Sequence, residues 1–298
     1  LQGRPFWKDS TQMKPLLMLS AVAVCCLAPL ACDFEKTANQ ISAETVMVGT
    51  LLSTPDVAIS PEAVAGFDGG VQADGGQTSF TIPGQTGAVV FLGTRNGQNA
   101  TPEGLTGATV TLQTGTQKVA LTSDGFGSYS RRNSDDASLT YQNGATYDFI
   151  AERGGQKFVG QVKDAPAKEN IPALHPAAGV VRMAANTELA FDRADPPSGQ
   201  ERTLGFVTVV PVSDNGQQGQ PTYTNVPKAP LDFLKLVALP TDWQQKRVTI
   251  PGSAFPMPRQ TYMVIFQSVR TGGAESDNLF LGSALLAGTA DVGVVRTQ

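Results

Sequence analysis

Few residues in this 298-residue chain could carry chemistry. Its one histidine, His175, sits between Leu174 and Pro176. A serine–histidine–aspartate triad or a zinc site would have to use it, because histidine is the usual general base and zinc's usual nitrogen ligand. Zinc wants three or four ligands, and neither a second histidine nor a spare cysteine pair exists, so His175 reads as an interdomain hydrogen-bonding or solvated side chain. Carboxylates at a set separation could hydrolyse a glycoside; Asp135 and Asp136, Glu188 and Asp192 instead read as solvated acids in polar loops. Arg131 and Arg132 complete a mixed-charge turn with the first pair. Ser253, between Gly252 and Ala254, lacks the spacing of a nucleophile elbow. Residues 60–87 are rich in glycine and aspartate, but Asp68 and Asp74 without a closing glutamate make a surface loop rather than a calcium site. Trp243 offers either a sugar-stacking platform or a cap on the edge of a core. The expectation is no catalytic residue, no cofactor and no metal.

The cysteines tell more. Cys25, Cys26 and Cys32 all fall within or at the end of an apolar run over 15–30, which follows Lys14. A basic start, a short apolar stretch and a small-residue cleavage site make an export signal, here 13–31. Roughly 16 residues with two prolines fall short of the ~20 that span a bilayer. Residues 1–12 read as an over-extended start, or as a longer basic region using Arg4 and Lys8. Ala31 and Cys32 resemble the bacterial lipoprotein box, in which the cysteine becomes the first mature residue and carries lipid; Pro29 stands where that family has a branched apolar residue. Two outcomes stay open, lipidation of Cys32 as a surface tether or cleavage nearby and release. Either places the protein outside the cytoplasm, at the cell envelope when anchored and facing periplasm or surface.

No cysteine follows Cys32, so no disulfide can staple the exported part, and its stability must come from buried apolar area. Removing 1–31 leaves 267 residues, enough for one large or two ordinary domains. Of 22 basic residues three (Arg4, Lys8, Lys14) precede Cys32, and of 26 acidic ones only Asp9 does, leaving 19 against 25. A mildly acidic chain without a basic cluster argues against nucleic acid. Partners are therefore the membrane, through an N-terminal lipid, and other envelope proteins or glycans.

Short β-prone runs bounded by turn residues imply an all-β protein of two antiparallel β-sandwich domains. Strands are expected at 45–52, 87–92, 108–112, 118–121, 138–141, 147–151 and 157–162. A second set falls at 187–191, 205–212, 247–250, 262–266, 278–286 and 293–296. Val110 and Leu112 face one way, Thr109 and Thr111 the other. A polar tether at 32–44 leads into the first sandwich, 45–165; a proline-rich linker at 166–177 leads into the second, 178–298. One short helix is expected at 230–238, opening with Pro230 at a tolerated first-turn position. Thr146 and Tyr147 are echoed by Thr261 and Tyr262, each tyrosine starting a strand where a sandwich tyrosine bonds back to a corner.

Within the first half, Gly107 to Val110, then Asp124, Gly125, Gly127 and Tyr129, then Gly144 to Tyr147 resemble the carboxypeptidase-regulatory-like domain. That resemblance covers about 87–165 and implies a transthyretin-like β-sandwich, frequent in exported proteins and without catalytic residues. It implies a tight turn at Asp124-Gly125, close backbone approach at Gly127 and a core aromatic at Tyr129. The polar stretch from Arg131 to Asp136 departs from the family's pattern. The second half resembles immunoglobulin- or fibronectin-type sandwiches in its general pattern.

Overall fold

The computed structural model describes residues 28–59, 80–97, 101–213, 217–226 and 240–298. The 1–12 start, the signal up to residue 27, residues 60–79 of the glycine-rich loop and the 230–238 helix lie outside them. The 32–44 stretch, expected as a tether, is helical instead, forming α1 (Ala28–Ser42). An isolated helix this short is marginal in water, and distant parts of the chain hold this one. Gln40 Nε2 donates to the carbonyls of Ala274 and Ser276, each at 3.2 Å, and Lys36 pairs with Glu275. Arg95 Nη2 donates to the carbonyls of Ile41 and Ala43 at 3.4 and 3.1 Å, where a helix end leaves acceptors unmet and favours a cation.

The first strands are β1 (Thr45–Thr54), β2 (Val57–Ile59), β3 (Phe80–Ile82), β4 (Gln85–Thr94), β5 (Glu103–Gly104), β6 (Thr109–Thr114), β7 (Gln117–Gly125), β8 (Ser128–Arg132), β9 (Tyr147–Arg153) and β10 (Gln156–Val162). There follow β11 (Val181–Met183), β12 (Leu189–Asp192), β13 (Leu204–Val212), β14 (Tyr223–Thr224), β15 (Arg247–Ile250), β16 (Thr261–Ala274) and β17 (Ala284–Thr297). The protein is all-β, as its composition implies. Nine of these strands close a ring, running from β17 through β1, β4, β8, β7, β6, β9, β10 and β16 back to β17. Inward residues such as Met47, Leu51, Val90, Leu112, Tyr129, Phe149 and Leu285 form its core, and closure leaves the ring no free edge.

The 14-residue strands β16 and β17 continue past the ring and become the centre of the second half. There β13 flanks β16, and β11 flanks β17. Alternation sends Tyr262, Val264 and Phe266 to one face, covered by the β12–β15 ribbon, while Met263, Ile265, Val292 and Val294 face β2 and β3. Every residue of β17 is buried. Its pairings with β1 and β11 are parallel, an arrangement that the short runs over 278–286 and 293–296 do not foretell. The 166–177 stretch, expected as a linker, lies on this sheet with Ile171 and Leu174 fully buried.

Two local expectations are corrected. Residues 138–141 form no strand, because the Asp136 carboxylate accepts from both the amide and the hydroxyl of Ser138 and turns the chain there. The tight turn of the β7–β8 hairpin falls on Phe126 and Gly127, at φ 50° and 80°, rather than on Asp124-Gly125. A register shift between Ser123 and Gly125 absorbs the extra residue as a bulge and moves the turn on. Gly127 does permit close approach, since a Cβ there would stand 2.3 Å from the Leu92 carbonyl oxygen. Tyr129 is buried, its hydroxyl accepting from Ala108 N and donating to Leu105 O.

The tyrosine echo is structural. Tyr147 Oη accepts from Gln142 N at 2.7 Å and Tyr262 Oη from Met257 N at 3.1 Å, each donor five residues upstream of a buried ring. Burial pushes both phenols above the ordinary tyrosine pKa. Tyr147→Phe and Tyr262→Phe each leave a backbone N–H without its acceptor, and each is expected to lower unfolding free energy by about 1–2 kcal/mol in urea titrations.

Candidate functional site

The strongest concentration of polar side chains lies where the two cores meet. Arg193 follows β12 directly and has a fully buried side chain. Its Nε and Nη2 grip Glu169 Oε2 and Oε1 at 3.1 and 2.5 Å; Nη2 also reaches Thr203 Oγ1 at 2.8 Å, and Nη1 reaches the Trp243 carbonyl at 3.3 Å. The guanidinium lies over the Phe266 ring, 5.1 Å from its centre. Gly205 leaves the space, since a Cβ there would sit 2.9 Å from Arg193 Nη1. Glu169 Oε1 further accepts from Thr203 Oγ1 at 3.0 Å and Ser268 Oγ at 2.5 Å. Burial by itself would raise the Glu169 pKa; hydrogen bonds from Arg193, Ser268 and Thr203 and the Arg193 charge outweigh it and hold the carboxyl below its ordinary value.

Glu169, Thr203 and Ser268 form a wall of a cavity of about 590 Å³. Asp164, Glu201, Arg202, Thr203 and Arg270 line both it and a neighbouring cavity of about 470 Å³. Arg270 Nε is buried without a hydrogen-bond partner, and Asp164 holds a left-handed φ of 51°. Arg202 is engaged by Asp195 at 3.1 Å.

A buried carboxylate pins the 166–177 stretch. Asp291 on β17 accepts from Ile171 N at 2.8 Å, meets His175 Nε2 at 2.7 Å and lies 3.3 Å from Lys168 Nζ. His175 therefore bonds across the junction while remaining half exposed.

No family model matches the chain, and no curated protein matches it. A crystal structure of domains A168-A170 from titin aligns over 84% of this chain and 66% of that one, at 9% identity and a TM-score of 0.18, too low a score to carry an argument. The site must be read from its own geometry.

Ser268 beside Glu169 is no activated nucleophile, because the hydroxyl is buried and the lowered pKa makes the carboxylate a weak base. The His175–Asp291 pair has no hydroxyl or thiol bonded to the ring among the described residues. Asp135 and Asp136 stay in the exposed turn after β8, with Asp136 bonded to Ser138; Asp192 pairs with Arg247, and Glu188 lies in solvent. Trp243 is half-buried against Leu204, Phe206 and Val269, its indole N–H donating to Asn225 O at 3.3 Å. That is the placement of a cap on the edge of the core. Among the described residues no cluster of three His, Cys, Asp or Glu could hold a metal ion, and no helix is long and apolar enough to cross a membrane. Cys32 falls in the first half of α1, four residues before Lys36, which pairs with the body. Sequence reading missed Arg193, Glu169 and Arg270, whose only local sign was charge in proline-flanked or strand-end positions.

Proposed function

We propose that the protein is exported, is held at the cell envelope by lipid on Cys32, and presents its β body there as a non-enzymatic structural or interaction module. The observation that carries the reading is the apolar run ending at Ala31-Cys32, joined with almost no slack to a helix that docks on the body. On this reading the first half is a carboxypeptidase-regulatory-like domain, a resemblance supported by the close approach at Gly127 and the buried Tyr129. Intact-mass analysis of protein extracted from membranes tests the anchor. The expected species starts at Cys32 and carries acyl groups, and Cys32→Ser moves the protein to the soluble fraction. An unacylated mature chain, or an uncut precursor, would overturn the reading.

A second reading has support of its own. The junction cavity is of a size that takes small ligands, and Arg270 lines both of its lobes. On this reading the module binds an acidic glycan or a protein carboxylate there rather than at Trp243. Glycan-array retention that Arg270→Gln abolishes and Trp243→Phe leaves intact would favour it.

A further inference from the structure

One rim of the ring carries apolar side chains that the cores do not use. Among the described residues Phe126 is the most exposed large apolar side chain, at 91%, and Ile41 and Leu281 are 54% and 45% exposed, while Met257 before β16 and Val89 midway along β4 are exposed away from this rim. Phe126 is also costly where it stands. It occupies the first central position of a two-residue turn with both φ angles positive, a place suited to asparagine or glycine. A bulky residue at positive φ is an outlier whose strain the rest of the fold must hold in place.

Pairing puts these residues on the same end. Leu281 N donates to the Gln40 carbonyl, next to Ile41, and Phe280 N donates to the Thr45 carbonyl at the start of β1. Thr45 pairs with Thr94 at the end of β4. There Leu92 N donates to Gly127 O, and Gly104, paired with Gly93, abuts the Phe126 carbonyl. Phe126 thus lies roughly two strand spacings, or about 10 Å, around the rim from β1.

This is the end from which α1 leaves. Lys36 and Gln40 hold the helix to the body, and Cys32 precedes Lys36 by four residues, about 6 Å of helix at 1.5 Å per residue. Resting on the lipid-anchor reading above, we propose that this rim is a membrane-contacting face, with Phe126, Leu281 and Ile41 seated at the boundary of headgroups and acyl chains. The occupant is a lipid bilayer. A tether this short brings the rim to it, and aromatic and aliphatic side chains at that depth recover the burial that the fold denies them.

The absence of cysteines after Cys32 makes the test clean. The full-length processed protein, with Cys32 acylation verified by mass, is reconstituted in phosphatidylcholine vesicles as Phe126→Cys, Leu281→Cys or Ser134→Cys, each carrying a nitroxide. Labels at 126 and 281 are expected to be protected from aqueous relaxation agents and exposed to oxygen dissolved in the bilayer, with 134, beyond the far end of β8, fully aqueous. Phe126→Asn should raise the melting temperature by a few degrees and, in the acylated protein, shift the label at 281 toward the aqueous phase. Aqueous labels at 126 and 281 on an acylated protein would overturn the membrane face and leave the anchor standing. An unacylated Cys32 would remove both.

Discussion

Replacing Arg193 with alanine is expected to cost about 3–5 kcal/mol of stability, the range for breaking a buried ion pair by removing one partner. The loss goes beyond one contact. Arg193 satisfies both oxygens of Glu169, the Thr203 hydroxyl and the Trp243 carbonyl from a position without solvent. Its removal strands a carboxylate and opens a void beside Phe266 and Gly205. Arg193→Lys should recover only part, because an ammonium cannot make the two-pronged grip. Glu169 gives the network a pH signature. A carboxyl whose native pKa lies below its unfolded value contributes fully above that unfolded value, ordinarily 4.5 here, and loses the contribution as pH falls through the lowered native value. Stability should therefore fall on acidification below about pH 4.5, and Glu169→Gln should flatten that limb relative to wild type. An acid limb of unchanged steepness in Glu169→Gln would count against this network as its source.

Ending the chain at Ser283 is expected to abolish folding of both halves. The deleted strand supplies Leu285 and Ala287 to the ring core, Leu286 to the cluster of Leu204, Phe206 and Val269, Val295 to one face of the second sheet, and Ala290, Val292 and Val294 to the other. At about 1.5–3 kcal/mol per buried Leu or Val, its five such side chains account for a sum of the same order as the whole net stability of a domain, about 5–15 kcal/mol. The truncation also strips β1, β11 and β16 of hydrogen-bonding partners. Dispersed amide resonances from residues 45–162 of the truncated chain would show that the ring folds without β17.

Much of this plan was legible because alternation is a local signal. Val110 with Leu112, and Phe149 with Ala151, declare an inward face over a few residues, and the β4, β6, β9, β10, β13 and β15 strands were placed to within a few residues. The spine was not. Gly272, Gly273, Gly288 and Gly293 interrupt the apolar pattern of β16 and β17; Asp291 fell between two expected strands and Arg296 at the end of one, when both are buried inside a single strand. Burial of a charge depends on a partner brought by topology, and Asp291 meets Ile171 and His175 from more than a hundred residues away. Glu169 and Arg193 hid for the same reason, inside segments whose prolines suggested a linker and a loop. The β7–β8 turn moved because a bulge costs one residue of register, which glycine and aspartate spacing alone does not fix. Of the candidate residues, Trp243 was visible as a type, and its role depended on Asn225 and Leu204, which only the fold brings to it.

The structural account rests on one long hairpin serving two cores, and calorimetry of the protein tests it most directly. It predicts a single transition whose van't Hoff and calorimetric enthalpies agree, shifted as a whole by Arg193→Ala. Two separable transitions, only one of them moved by that substitution, would contradict it.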